Sequence, residues 1–297
     1  TACMKNGYPA DVAERGWEML SGYAGYGFCK AHSMTYAAVA SAYAAIKAER
    51  PAAAMAAFLA AGGGFYRHPV YIEEARRLGL QILPPDVNSC EWFCTSPDDH
   101  TIMLGMGYLA GIGENEFDKI KTGRPYTHPI QIRAAGIGIK LAQAMAMAGC
   151  FDSMGMNRPQ AAWCVKEGAS SLFPLGMPPP PLPCFIPSVR ASKELELMEV
   201  TCEAHPLAFM KRPAGAVPIA DMPERGQSLI WGRVVTGRSL KGGAGFLMLE
   251  DETGIADVFV PSPWYRKASV LLRRPGATLL LRCEKTAERT VVLKVFE

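Results

Sequence analysis

Residues 246–260, FLMLEDETGIADVFV, decide the fold of the C-terminal part of this 297-residue chain. Apolar residues predominate on both sides of Asp251-Glu252-Thr253-Gly254, and aspartate and glycine favour a tight turn. The pattern predicts two β-strands, Phe246 to Glu250 and Ala256 to Val260, joined as a hairpin.

Three further runs with a period of two lie around this hairpin. They predict strands at Leu229 to Val235, Thr278 to Cys283 and Val291 to Val295, with a glycine-rich turn at Lys241 to Gly245. The stretch Trp264 to Leu272 predicts a helix between the third and fourth strands. Five strands with a helix after the third is the order of an OB-fold barrel, which binds single strands along strands two and three and at its loops.

Cationic and aromatic side chains flank the predicted single-strand face. Arg233, Arg238 and Lys241 are candidate DNA contacts, and Phe246 and Phe259 could stack on bases. The alternative is that the phenylalanines fill the barrel core and that the cations serve solubility.

Two glycine pairs in the middle of the chain predict helix-hairpin-helix turns. Leu109 to Gly113 precedes a polar helix, Glu114 to Lys121, and Gly136 to Gly138 precedes a helix at Ile139 to Ala148 as a second, looser copy. Such turns present backbone N–H groups to a DNA phosphate at the mouth of the second helix. Glycine pairs also end ordinary helices, so this is the alternative. The candidate DNA contacts of the two turns are Gly111, Gly113, Lys119, Lys121, Gly136, Gly138 and Lys140.

A glycine-hinged turn near the start, Gly25 to Ser33, leads into another predicted helix. Ser33 is a suitable N-cap, and the helical spacing of apolar residues continues to the stop at Arg50-Pro51. Lys30 and His32 would then lie just ahead of the helix N-terminus, where free N–H groups and the helix dipole attract phosphate. The alternative is a capped helix with a solvated lysine.

The remaining segments are mainly helical. Helices are predicted at Asp11 to Leu20, Ala52 to Ala60, Val70 to Leu78 and Lys193 to Glu203, with a short strand at Leu80 to Leu83. Arg76 and Arg77 are expected on a solvated helix face. The prolines from Trp163 to Pro187 predict an extended polyproline-II linker. The chain is thus predicted to be multidomain α+β, with a mainly α-helical N-terminal part followed by a five-stranded barrel.

The amino-acid composition limits the classes of protein to which the chain could belong. A hydrophobic fraction of 49%, a charged fraction of 20% and a net charge of +3 are typical of a soluble globular protein, and no apolar run predicts a membrane span. The nine cysteines are scattered, as in reduced intracellular proteins, and Cys90 and Cys94 lack a second ligand pair for zinc. We therefore predict no metal site. Because the sequence opens at Thr1, we expect a piece of a longer protein.

With these pieces in order, the chain resembles the C-terminal half of the bacterial family C DNA polymerases, the alpha subunit of DNA polymerase III and its error-prone relatives. The motifs that match are GYGF-x-K-x-H at Gly25 to His32, EARRLG within Tyr71 to Gly79, ILPPDVN at Ile82 to Asn88, AGCFDS at Ala148 to Ser153, HPL at His205 to Leu207 and LEDETG at Leu249 to Gly254. They cover nearly the whole length.

The resemblance implies four regions: the end of the fingers domain at 1–100, tandem helix-hairpin-helix at 101–162, a Pro-rich linker and helix at 163–224, and the OB domain at 225–297. It implies that Phe28, Lys30, His32 and Tyr36 contact an incoming deoxynucleotide. It also implies template-directed nucleotidyl transfer with Mg²⁺ held by palm aspartates. No Asp-x-Asp pair occurs in this sequence, so we expect no catalytic residue here and no polymerisation by this chain alone.

The implied partners are primer-template DNA, single-stranded DNA at the barrel and other replisome subunits, in the bacterial cytoplasm at the nucleoid, without a membrane. Ala169 to Phe173 is the candidate sliding-clamp peptide, but alanine replaces its usual glutamine. The first hairpin has Ala110 in place of the usual lysine. Gly64 to Tyr66 and His205 to Phe209 resemble the error-prone branch more than the replicative one.

Two other functions stay open on sequence grounds. The hairpins and barrel could form a DNA-binding module without a catalytic role, or the barrel could mainly contact proteins.

Overall fold

The computed structural model describes residues 2–21, 29–167, 178–266 and 276–296. The chain divides into two compact units, residues 1–49 and 50–297. Gly25 to Phe28, the candidate clamp peptide, and the part of the predicted helix beyond Arg266 lie outside the described residues.

The described part of the first unit is helical. It contains α1 (Ala2–Lys5), α2 (Ala10–Ser21) and α3 (Lys30–Glu49). An ion pair one helical turn apart, Arg15 Nη2 to Asp11 Oδ2 at 2.7 Å, lies on α2. The helix predicted at Asp11 to Leu20 is confirmed as α2.

The start of α3 differs from the prediction. The Ser33 N–H donates to the Cys29 carbonyl at 3.1 Å, so the first helical turn is already closed at Ser33. The prediction of Ser33 as the N-cap is wrong. Lys30 and His32 belong to the first turn itself rather than preceding it.

The second unit begins with two helices and a small sheet. Helix α4 (Pro51–Ala60) has its proline at the start, and α5 (His68–Arg77) is followed by Gly79 in a left-handed conformation, φ 81°. Strands β1 (Gln81–Leu83), β2 (Thr95–Asp98) and β3 (Thr101–Met103) form a sheet in the order β1-β3-β2. Strand β3 runs parallel to β1 and antiparallel to β2.

The hairpin region and the segment after it form five more helices: α6 (Glu114–Thr122), α7 (Gln131–Ala134), α8 (Ile139–Ala148), α9 (Arg158–Glu167) and α10 (Pro187–Met198). The bounds predicted for α8 are confirmed. Helix α10 begins and ends earlier than predicted, because Pro187 occupies its first turn and Glu199 turns left-handed, φ 64°, after its last residue.

A buried arginine joins three of these elements. Arg158, on α9, donates from Nη1 to Glu194 Oε1 on α10 at 2.8 Å and from Nη2 to Asp152 Oδ2 at 2.9 Å. Its Nη1 also lies 3.3 Å from the Met147 carbonyl near the end of α8. The Arg158 side chain is 8% exposed and the Glu194 side chain 2%. A buried charge is tolerated only when it is paired and hydrogen-bonded, and here both conditions are met.

Arg76 extends this network to α5. Its guanidinium donates to the carbonyls of Thr201 at 2.7 Å and Cys202 at 3.0 Å, and it pairs with Glu73. The Cys202 N–H in turn donates to Glu194 at 2.8 Å. The expectation of a solvated Arg76 is therefore wrong.

Cys90 and Cys94 lie buried in the helical core. Burial raises the pKa of the Cys90 thiol to about 11 even though Arg124 lies beside it. Both residues are thus inert components of the core at neutral pH.

The C-terminal region is a closed barrel of five strands: β4 (Gly226–Ser239), β5 (Gly245–Glu250), β6 (Ile255–Val260), β7 (Thr278–Lys285) and β8 (Thr290–Phe296). The strand order is β4-β5-β6-β8-β7, with β6 and β8 parallel and the other pairs antiparallel. Residues 262–266 are helical after the third strand. The predicted fold class is confirmed.

Among the described residues, no helix has both the length and the apolar character needed to span a membrane.

We predict that Arg158→Ala lowers the free energy of unfolding by about 3–5 kcal/mol, because it leaves Glu194 as an unpaired buried charge. Urea denaturation followed by circular dichroism measures this. Lys166→Ala is the matched control, since its ion pair with Glu167 is exposed, and it should change stability by less than about 1 kcal/mol. An equally small effect of Arg158→Ala would contradict the structural role of the network.

Candidate nucleic-acid interface

The second hairpin has the geometry of a phosphate-binding turn. Gly136 has φ 83°, Gly138 is the N-cap of α8, and the buried Ile137 anchors the loop between them. The Arg133 side chain braces this loop by donating to the Ile137 carbonyl at 2.5 Å. First-turn N–H groups have no partner within a helix, so those of α8 can donate to an anion.

The charge at this turn also favours phosphate. The first turn of α8 contains no acidic residue, and the exposed Lys140 lies in it. A Cβ added at Gly138 would meet no atom within 4 Å, so the turn is open on that side. The structure thus brings Gly136, Gly138 and Lys140 together.

The first hairpin is less suited to an anion. Gly111 has φ 83° and Gly113 is the N-cap of α6, but the first turn of this helix contains Glu114 and Glu116. The Ala110 N–H in the loop already donates to the Leu197 carbonyl at 2.8 Å. Carboxylates at a helix N-terminus occupy the position that a phosphate would need and repel it.

The two lysines of α6 have different surroundings. Lys121 pairs with Glu91 at 2.7 Å and lies over the ring of Phe117. Lys119 is exposed in the same turn of the helix. Lys119 is therefore the better placed of the two to meet DNA.

The outer surface of the barrel carries an aromatic pair, an exposed Phe246 and a half-buried Phe259. Phe246 on β5 and Phe259 on β6 are register partners, with ring centroids 5.3 Å apart and planes inclined at 62°. Their neighbours Leu247 and Val258 point into the barrel and are buried, while Phe246 is 43% exposed. The alternative that these phenylalanines fill the core is wrong, because the pleat places them on the outer surface.

Cations surround this pair. Arg238 is the cross-strand partner of Phe246, and the Arg289 guanidinium lies 5.0 Å from the Phe259 ring centroid. Lys285 lines the same shallow cleft, as do two acidic residues, Asp257 and Glu288. Aromatic rings beside cations form a surface on which bases stack while the backbone phosphates are neutralised.

Sequence reasoning did not identify Arg289 or Lys285. Arg289 lies in the turn between β7 and β8, the fourth and fifth strands of the barrel. The loop between those strands is one of the ligand-binding loops of OB folds. A cationic residue in that loop could therefore have identified Arg289 as a candidate from the sequence.

The other two predicted barrel cations lie apart from the cleft. Arg233 lies in a groove between the barrel and α10 and packs against Gly276. A Cβ added at Gly276 would come within 3.2 Å of Arg233 Nη2. Lys241 is exposed in the turn between β4 and β5. The structure thus does not group Arg233 with Arg238.

The described candidates for nucleotide binding lie on α3. His32 and Tyr36 are one turn apart, with ring centroids 4.5 Å apart in an edge-to-face arrangement. Lys30 is exposed two residues before His32, and side chains at that spacing do not face each other on a helix. Phe28 lies outside the described residues.

Comparison with known proteins agrees with this geometry. Residues 79–161 match the family model of a helix-hairpin-helix motif, which covers both hairpins. A hairpin region of this kind followed by a closed five-stranded barrel defines a class of multidomain proteins that bind nucleic acid.

Three relatives share the same name and cover nearly all of the chain. The error-prone DNA polymerase of Corynebacterium efficiens is 33% identical over 297 residues, and that of Mycolicibacterium paratuberculosis is 31% identical; each alignment covers 93% of this chain and 27% of the relative. The error-prone DNA polymerase of Pseudomonas savastanoi pv. phaseolicola is 30% identical, covering 88% of this chain and 28% of the relative. Nearly the whole chain is thus homologous to the C-terminal portion of error-prone DNA polymerases, which confirms the resemblance inferred from the motifs. The chain spans about a quarter of their length.

We predict that Phe246→Ala lowers the affinity of the chain for a short oligothymidylate by roughly 5- to 100-fold, because base–aromatic stacking contributes about 1–3 kcal/mol per base. Fluorescence anisotropy at low salt measures this. Phe296→Ala is the matched control, since Phe296 also lies on the barrel beside cations but outside the cleft. Equal losses in the two variants would contradict the assignment of the cleft.

Proposed function

We propose that this chain supplies the DNA contacts of a DNA-directed DNA polymerase that carries out error-prone synthesis. The observation that carries the proposal is the Phe246–Phe259 pair on the outer surface of the barrel, flanked by Arg238 and Arg289, on the strands that bind single strands in OB barrels. Homology to error-prone DNA polymerases supports the same assignment.

In this proposal the two regions hold different forms of DNA. The hairpin region holds the duplex backbone through Gly136, Gly138 and Lys140, with Lys119 as an additional cation. The barrel holds the single strand at its aromatic cleft. Backbone contacts of the first kind position the DNA without reading its sequence, as a polymerase requires.

The nucleotide-binding residues remain a proposal as well. Lys30 would neutralise the triphosphate of an incoming deoxynucleotide, while His32 and Tyr36, which share a helix face, would contact its sugar or base. Among the described residues, no group of three or more His, Cys, Asp or Glu is placed to hold a metal ion. In this proposal Mg²⁺, which would neutralise the reacting phosphates, belongs to a palm domain outside this sequence.

The site of action in this proposal is the bacterial nucleoid, in the cytoplasm. In this proposal the chain has four regions: fingers at 1–100, hairpins at 101–162, linker at 163–224 and barrel at 225–297. The first bound falls between the paired strands β2 and β3, and the second falls within α9. Contacts with a sliding clamp or with other replisome subunits would be additional to the DNA contacts.

We predict that Gly138→Ala and Lys140→Ala each weaken binding to blunt duplex DNA by about tenfold, because the first places a methyl group where the phosphate would lie and the second removes a cation. Gly138 has φ −63° and open space around it, so the alanine variant should fold normally. Anisotropy titrations at several salt concentrations measure this.

The first hairpin provides the matched controls for that experiment. Gly113→Ala and Lys121→Ala should leave the duplex affinity within about twofold, because acidic residues and the Glu91 ion pair already occupy that turn. A larger loss in the first-hairpin variants than in the second-hairpin variants would overturn the assignment.

The nucleotide-binding proposal is tested by joining the chain to the upstream part of a homologous error-prone polymerase. Lys30→Ala should raise the KM for deoxynucleotides by about tenfold or more in primer extension, because a charge-assisted hydrogen bond to phosphate is lost. Lys5→Ala, at the exposed end of α1, is the control. An unchanged nucleotide dependence in Lys30→Ala would contradict the assignment.

A further inference from the structure

Two of the matching motifs, HPL at 205–207 and LEDETG at 249–254, have no part in the proposed DNA contacts. In the fold they meet each other. His205 precedes the 3-10 turn Pro206–Phe209, and Glu250 is the last residue of β5 in the barrel. Both residues are almost completely buried, with exposures of 1% and 2%.

The side chains of His205 and Glu250 are oriented so that His205 Nε2 faces the Glu250 carboxylate. His205 Nδ1 accepts a hydrogen bond from the Leu207 N–H at 3.2 Å, so a neutral imidazole carries its proton on Nε2. That nitrogen lies 3.9 Å from Glu250 Oε1. Within the described residues, neither His205 Nε2 nor Glu250 Oε2 has a hydrogen-bond partner. Buried polar atoms without partners are costly, and a small approach of the two side chains would satisfy the imidazole N–H.

Each partner is fixed to a different part of the molecule. His205 follows Thr201 and Cys202, whose carbonyls Arg76 holds against α5. Glu250 precedes Asp251, a fully buried residue that accepts from the Ile219 N–H at 2.9 Å and pairs with Arg212. Burial raises the pKa of Asp251, but hydrogen bonds from Thr253, Ile219 and Gly254 outweigh it, so the pKa is lowered and the carboxylate stays ionised.

We propose that His205 and Glu250 form a buried latch that fixes the orientation of the barrel relative to the helical region. The role is one of positioning, and it rests on the proposed function. With the latch closed, the single-strand cleft and the second hairpin would face one continuous DNA at a fixed separation. Such a DNA binds both sites at a high effective concentration, which falls when the orientation becomes variable.

The variants separate the latch from the turn that His205 caps. His205→Asn keeps a side-chain oxygen that can accept from the Leu207 N–H but loses the group that faces Glu250. Glu250→Ala removes the other partner, whereas Glu250→Gln keeps an acceptor of the same shape. Glu224→Gln, at an exposed position in the segment between His205 and β4, is the charge-matched control.

The 297-residue chain is titrated with three DNAs: an oligothymidylate of about eight nucleotides, a blunt duplex, and a duplex with a single-stranded extension of about sixteen nucleotides. His205→Asn and Glu250→Ala should each lower the affinity for the extended duplex about tenfold and leave the other two within about twofold. The double variant should lose no more than either single variant, because the two residues form one contact. Glu250→Gln and Glu224→Gln should resemble the wild type.

Three results would overturn the latch: His205→Asn binding the extended duplex as the wild type does, additive losses in the double variant, or equal losses for all three DNAs, which would indicate impaired folding. A wild-type chain that binds neither the short strand nor the blunt duplex would instead refute the proposed function.

Amide exchange gives a readout independent of DNA. The Val217 N–H, which donates to Leu229 at the barrel, should exchange faster in His205→Asn than in Glu224→Gln, and equal rates would also count against the latch.

Discussion

The helical region depends on the charge of Arg158. Its guanidinium is satisfied only where α9, α10 and the end of α8 meet, because its acceptors come from all three places. The same arginine requires a glycine at position 149, because a Cβ there would lie 2.5 Å from Arg158 Nη2. The left-handed backbone at this position, φ 102°, also favours glycine. The direction in which the chain leaves the C-terminal end of α8 therefore follows from one buried ion network.

Much of the fold could be predicted because local signals marked its boundaries. Helix α8 lies between Gly138 and Gly149, and glycine-containing turns separate β4 from β5 and β5 from β6. Strands β2 and β3 could not be found from the sequence, because they are short, β2 contains Pro97, and β3 pairs with the separate strand β1. The sequence places Pro187 in the predicted linker, whereas the structure places it in the first turn of α10, a position that proline also suits.

The candidate interface could be predicted only in part, because its chemistry depends on long-range neighbours. The motif spacing located both hairpins, but the Glu91 partner of Lys121 lies thirty residues away along the chain. Both faces of β5 are apolar, so the sequence left open whether Phe246 or Leu247 points inward. The barrel's closure decides this, and the pairing of β6 with β8 brings Arg289 to Phe259.

The length of β4 has a consequence for the order of folding. This one strand pairs with β7 from Gly226 to Arg233 and with β5 from Arg233 to Ser239. The first half must therefore wait for a segment far along the chain, whereas the hairpin helices close through neighbouring residues. Contacts between distant residues form slowly, so we expect the hairpin region to reach its native state before the barrel does. Under the proposed function, newly made chains would then hold duplex DNA before they hold a single strand.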